Sequence, residues 1–284
     1  MTKKSLTIGR ITISWLRGGD FRLDGGTMFG PVPKILWEQR IQATADNTIP
    51  MVNDPLLIRT PEHNIIVDSG LGNKLTAKQE TLFQVTSPWK VIEDLAALGL
   101  RREDIDLVIL THFDFDHGGG VVMQNKRGQL ELTFPKAQHL IQKSEWEDVL
   151  APCRRAQSTY WPINFETLAA SGQLKLITGD KTVCPGVSVR HSGGHTRGHQ
   201  VVEIASEGQL AVHMGDLFPT AAHSNPLWVM AYDNFPLSVI EQKEQLMAEY
   251  RAKNAWFTFY HDPQVLACRL DERNRVREQW VTAS

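Results

Sequence analysis

Four side chains able to hold a metal ion stand within six positions of one decapeptide, Thr111-His112-Phe113-Asp114-Phe115-Asp116-His117-Gly118-Gly119-Gly120. Residues 107–110, directly before it, are all apolar, the mark of a strand covered on both faces. The segment therefore begins where a buried strand ends, and its three glycines let the backbone turn tightly. Three further sites share this setting: His195 in Gly193-Gly194-His195-Thr196-Arg197-Gly198-His199, Asp216 in Met214-Gly215-Asp216, and His261 in Tyr260-His261-Asp262. Each follows a run that reads as a strand. Loops after strands collect at one edge of a sheet, so residues far apart in the chain can converge there. A surface loop rich in Asp and His is the plain alternative, and the repeated placement after strands argues against it. Seven ligands exceed what one catalytic zinc takes, about three with an open position, so two ions are expected, with Asp216 as the natural bridge.

The rest of the chain is compatible with an enzyme of ordinary size. Its 284 residues suffice for one two-layered domain or two small ones, and its 42% hydrophobic and 22% charged residues leave little room for disorder. A net charge of −2 without a long basic run disfavours a nucleic-acid partner. Cys153, Cys184 and Cys268 are odd in number and lack CxxC spacing, so they are expected to be buried free thiols rather than a disulfide framework. Lys3 and Lys4 precede an apolar run that Thr7, Gly9 and Arg10 break, unlike a signal-peptide core. No stretch approaches the roughly 18 apolar residues of a membrane span, and a cytoplasmic location is the default.

Strands and helices intermix along the chain, which has no Pro/Ser-rich linker and no internal repeat, so a single domain over residues 1–284 is the simpler expectation. The first 35 residues read as hairpins with no helix, turning at Gly18, Gly19, Gly25 and Gly26. Residues 55–59 and 64–68 read as two strands feeding a loop over 69–72. Ser87 and Pro88 are read as opening a helix whose apolar face is Val91, Ile92, Leu95 and Leu98 and which Gly99 stops. Ser144 with Glu147, and Ser238 with Glu241, match capping boxes, the second heading a helix over 239–253. Residues 187–190, 201–205, 210–214 and 256–260 read as strands.

These residues resemble the signature of the metallo-β-lactamase superfamily, which runs His-x-His-x-Asp-His, a distant Gly-His, a Gly-Asp and a final His. The resemblance covers about residues 50 to 262. It implies an α/β fold, the four-layered αββα sandwich. It also implies that His112, the residue at 114 and His195 hold one metal, that Asp116, His117 and His261 hold a second, and that Asp216 is shared. Position 114 is Asp here, where the usual pattern has His. That adds a negative charge and an oxygen ligand. The expected cofactors are two divalent ions, Zn2+ first, with Mn2+ or Fe2+ admitted by the carboxylate. By the same analogy His199 belongs to the pocket or supports a ligand, and Asp68 steadies a ligating histidine. His63, His139, His191, His213 and His223 lack a matching motif and are expected at the surface or in the core.

The resemblance further implies hydrolysis. A metal pair lowers the pKa of a shared water from about 15.7 to near 7, so a bridging hydroxide would attack a polarised carbonyl, with Asp116 and Asp216 able to steer protons as well as bind metal. No Gly-x-Ser-x-Gly elbow, P-loop or dinucleotide fingerprint competes. Residues 21–33, followed by Trp37, are similar to the quorum-quenching lactonase branch. Met28, Phe29, Trp37, Phe113 and Phe115, with His199, would then line a pocket for the acyl chain of a small-molecule substrate. The acyl-homoserine lactonases carry a tyrosine three residues after the bridging aspartate, where this chain has Pro219; Tyr232 or Tyr260 is the available substitute. The runner-up is a thioester hydrolase of the glyoxalase II type, then a phosphodiesterase. A metal-binding module without turnover is disfavoured by the complete ligand set. A flavodiiron-type reductase would need Glu at 114 and a flavin domain. A symmetric homodimer is the default assembly.

Overall fold

The computed structural model describes residues 5–281, which leaves Lys3 and Lys4 outside the described residues. Two seven-stranded sheets organise it. In the first, the strands run in the order Ser5–Ile8, Ile11–Trp15, Leu56–Arg59, Asn64–Val67, Leu107–Ile109, Gln138–Gln142, Leu174–Ile177. In the second the order is Lys181–Cys184, Val187–His191, Gln200–Ser206, Gln209–His213, Trp256–Thr258, Val265–Leu270, Val276–Val281.

Alternation along each strand decides what each sheet face buries. Ile13, Leu56, Ile58, Ile65, Val67 and Ile109 of the first sheet share one core with Val187, Val189, Val202, Ile204 and Ala211 of the second, so the sheets pack face to face. The opposite face of the first sheet, through Leu57, Ile66, Val108 and Ile141, packs on the helices Val91–Ala97, Lys143–Leu150 and Pro162–Ala170. The opposite face of the second, through Val201, Val212 and Phe257, packs on the helix Pro236–Ala252. The result is the expected αββα order of layers. The strands Asn64–Val67 and Leu107–Ile109 are parallel, as are Gln209–His213 and Trp256–Thr258. Their C-terminal ends therefore lead into loops on the same rim of their sheets, which is where the site forms.

Several local expectations are corrected. The first 35 residues do include a short helix, Gly25–Phe29, capped by the Asp24 carboxylate, which accepts from the Thr27 amide at 2.8 Å; a second turn, Lys34–Trp37, follows Pro33. The helix expected from Ser87 and Pro88 begins at Val91, because Ser87 is held in a bridge to Asp20. Neither capping box forms: Ser144 and Ser238 lie inside helices that start at Lys143 and Pro236, the second with proline in its first turn. The strand expected over 256–260 stops at Thr258, since Phe259 to Asp262 turn into the site. Cys184 and Cys268 are buried, but Cys153 is exposed. Among the described residues no helix is long and apolar enough to cross a membrane.

Candidate metal centre

Five loops that follow strands carry the chemistry. Asp68 follows Asn64–Val67, residues 110–117 follow Leu107–Ile109, residues 192–199 follow Val187–His191, Asp216 follows Gln209–His213, and His261 follows Trp256–Thr258. Asp114 leads into the single helical turn Phe115–Gly118, which carries Asp116 and His117 as consecutive residues. Gly120 is required by close approach: a Cβ there would stand 2.1 Å from the Ser69 carbonyl oxygen. Gly215 is required by conformation, with φ at +51°, and by contact, since its Cβ would meet the His199 ring at 2.6 Å.

The seven expected ligands are brought together. Ligand atoms of His112, Asp114 and His195 lie within 4.8 Å of one another, as do those of His112, His117 and Asp216, and those of Asp116, His117 and His261. Asp216 stands between the groups: its Oδ1 is 3.3 Å from both His117 Nε2 and His261 Nε2, and its Oδ2 is 3.5 Å from His195 Nε2.

The supporting hydrogen bonds fix which nitrogen of each imidazole is bare. His261 Nδ1 lies 2.9 Å from the Val52 carbonyl, His117 Nδ1 2.9 Å from Asp68 Oδ2, and His195 Nδ1 2.8 Å from Asp233 Oδ1; all three partners accept, so each Nδ1 carries the proton. The Thr111 hydroxyl donates to Asp68 at 2.8 Å and so accepts from His112 Nδ1 at 3.0 Å. All four Nε2 atoms therefore present lone pairs to the centre. His117 Nε2 and His261 Nε2 face each other at 3.1 Å, an arrangement that needs a cation or proton between them. His112 Nε2, His195 Nε2, Asp114 Oδ1 and Asp216 Oδ1 are buried with no hydrogen-bond partner among the described residues. Buried polar atoms of this kind require compensation. Four bare imidazoles and three carboxylates fit a pair of divalent cations.

Charge points the same way. Burial alone would depress His117 and His195, but the carboxylates of Asp216, Asp116 and Asp68 around the one, and of Asp114, Asp216 and Asp233 around the other, raise both well above the ordinary histidine value. Burial would raise Asp216, yet His117, His261 and His195 hold it well below the usual carboxylate range. At Asp116 burial prevails and the pKa rises.

Of the residues expected to line a pocket, Met28 and Phe115 do. They border a cavity of about 570 Å³ that opens onto Asp114, Asp116, His195, Asp216 and His261, with Leu23, Leu82, Phe83, Trp161, Met230 and Tyr232 in its walls. Phe115 stacks between Phe83 and Trp161, with ring centroids 4.6 and 4.7 Å away. The other four are corrected. Phe29 and Trp37 are core residues behind the wall, stacked on each other at 5.2 Å. Phe113 points the opposite way from Phe115, edge-on to Trp146. His199 accepts the Asp216 amide at its Nε2 and bonds Ser192 through Nδ1, so it supports the bridging aspartate from behind. Of the two tyrosines, Tyr232 lines the cavity, its hydroxyl 2.7 Å from that of Thr27, whereas Tyr260 is buried between the Gly70 amide and the Asp116 carbonyl. None of the five histidines without a motif enters a ligand group among the described residues.

Two residues that sequence reasoning passed over hold the centre together. Asp233, in a loop without any motif, orients His195 and accepts the Met230 amide at 2.8 Å. Glu145 is buried and accepts from the Phe113 amide, the Tyr160 hydroxyl, the Thr196 hydroxyl and the Gly198 amide, which ties the two loops of the first ligand group together. Burial pushes its pKa up to about 7. Its position inside a helix gave no signal of that role.

A four-layer αββα sandwich with a paired His/Asp cluster at its rim is the architecture of metal-dependent hydrolases. The chain belongs to the metallo-β-lactamase superfamily, whose family model matches residues 50–246. It is 40% identical to a probable metal-dependent hydrolase from Staphylococcus aureus, with a TM-score of 0.93 over 98% of this chain and 99% of that one. It is 27% identical to an N-acyl homoserine lactonase from a Bacillus species over 68% of this chain and 76% of the relative. For the Bacillus cereus lactonase, also 27% identical, the match spans 57% of the relative's length. The fold is also that of a dizinc quorum-quenching lactonase solved with N-hexanoyl-L-homoserine, at 20% identity and a TM-score of 0.78.

Proposed function

We propose that this metal-dependent hydrolase cleaves an ester-type bond in a small acyl compound, a lactone first of all, at two divalent cations held by His112, Asp114, His195, Asp116, His117, His261 and Asp216. The observation that carries the reading is the placement of the ligand cluster at the floor of an apolar-walled cavity of about 570 Å³. Two cations there would supply Lewis acidity toward a carbonyl oxygen and a water nucleophile active at neutral pH. The chain's own residues do the rest. Met28, Leu82, Phe83, Phe115, Trp161 and Met230 would receive an acyl group and keep bulk water away from the reacting bond. Tyr232 is the cavity tyrosine: Thr27 donates its hydroxyl proton to the Asp24 carbonyl and so accepts that of Tyr232, for which a substrate oxygen would compete.

The named lactonases among the relatives support the lactone reading. A phosphodiester is disfavoured by charge. The arginine that lines the cavity among the described residues, Arg155, is bound through its Nη2 to the carbonyls of Ala231 and Asp233 rather than free to meet a phosphate. The test is elemental analysis of the purified protein, followed by assays of the native and chelated forms against an acyl-homoserine lactone, a glutathione thioester and bis-p-nitrophenyl phosphate. About two ions per chain and chelator-sensitive lactone cleavage are expected. Preference for the thioester or phosphodiester would keep the centre and replace the substrate; absence of bound metal would sink the reading altogether.

A further inference from the structure

We propose that Asp114 makes the two cation positions chemically alike and shifts the first toward ions that favour oxygen, such as Mn2+; this rests on the two-metal reading above. The ligand atoms divide evenly. His112, His195 and Asp114 form one group, and His117, His261 and Asp116 the other, with the Asp216 carboxylate between them. Each position is thus offered two imidazole nitrogens, one carboxylate of its own and one shared carboxylate. The private carboxylates are placed similarly: Asp114 Oδ2 is 3.5 Å from His195 Nε2 and 3.8 Å from His112 Nε2, and Asp116 Oδ2 is 3.8 Å from His261 Nε2.

Asp114 is free for this role. Its Oδ1 is buried without a hydrogen-bond partner, although the residue borders the cavity. Nothing else in the structure consumes the carboxylate, and no cationic side chain of lysine or arginine is paired with it among the described residues. Carboxylate oxygens suit Mn2+, while imidazole nitrogens suit Zn2+. With identical donors on both sides, neither position discriminates between the two ions more than the other does.

The experiment uses the full-length protein stripped by chelation. Calorimetric titration with Mn2+ alone, and dialysis against equimolar Mn2+ and Zn2+ with elemental analysis, would be run on wild type, Asp114→His and Asp114→Asn. Wild type is expected to take up two Mn2+ with dissociation constants within about tenfold of each other, and to show one Zn2+/Mn2+ preference for both ions. Asp114→His should split the titration into two steps and raise the Zn2+/Mn2+ ratio of one ion by about tenfold or more. Asp114→Asn, nearly the same shape, should lose Mn2+ from one position and retain it at the other, which keeps the proposal testable if the histidine variant fails to fold. Two well-separated steps in wild type, or an unchanged metal ratio in both variants, would overturn it. Failure of wild type to bind any cation would overturn the function reading as well.

Discussion

Two aspartates that touch no substrate decide which nitrogen the ligating histidines offer. Asp68 accepts hydrogen bonds from His117 Nδ1 and the Thr111 hydroxyl, and Asp233 accepts one from His195 Nδ1. An amide at either position can present N–H where the imidazole needs an acceptor, turning the ring or exchanging its tautomer. Asp68→Asn and Asp233→Asn are each expected to weaken binding of one cation by about 10- to 100-fold while leaving the other ion near its original affinity. Metal titration followed by elemental analysis reads this directly, and equal weakening of both ions would count against the assignment. Asp68 was legible in the sequence, because it ends a strand and opens a glycine-rich loop. Asp233 was not: nothing in Met230-Ala231-Tyr232-Asp233 marks one residue as the partner of a histidine 38 positions earlier.

The helix Pro236–Ala252 shows how an element can be predicted for partly wrong reasons. It is found where the sequence places it, and its buried stripe is Val239, Lys243, Leu246, Met247 and Tyr250. Its start does not follow from the Ser238/Glu241 pattern, because Pro236 already provides a first turn whose missing N–H costs nothing. Lys243 falls where the stripe calls for an apolar side chain. Its amino group is buried and donates to the carbonyls of Trp228 at 2.7 Å and Asn225 at 3.3 Å, which fastens the loop that carries Met230, Tyr232 and Asp233. Burial lowers its pKa from 10.5 to about 7. Between those values the unfolded chain binds a proton that the folded protein has given up, so this group's contribution to stability is present above pH 10.5 and is lost as pH falls toward 7. Lys243→Met, which abolishes the titration, should gain on wild type in urea midpoint as pH is lowered from about 9.5 to 7. A constant difference between the two proteins across that range would show that the lysine is not buried neutral.

At the scale of the whole molecule, the proposed cation pair would join segments that the chain separates widely, residues 112–117 from one half and 195–261 from the other. Ligands bound only by the folded state stabilise it by mass action, about 2.7 kcal/mol per site at a hundredfold excess over the dissociation constant. For a chain of this size two such sites correspond to a thermal midpoint raised by roughly 10 °C, so EDTA is expected to lower the midpoint by about that amount and added metal to restore it. A midpoint indifferent to chelation, measured by scanning calorimetry, would contradict a metal pair that bridges the two sheets. The sequence by itself marked the seven candidate ligands and the strands that precede them, because these depend on residue types and short-range pattern, and its family resemblance gave the class of chemistry. Tertiary structure alone decided the remainder. It sent Phe115 into the cavity and its neighbour Phe113 into the core, placed Phe29 and Trp37 behind the wall rather than in it, chose Tyr232 over Tyr260, and brought Asp233, Glu145 and Lys243 to the loops they hold. The physical reason is that side-chain direction and hydrogen-bond partnership between distant segments arise only when sheets and loops pack, and no local pattern of residues encodes them.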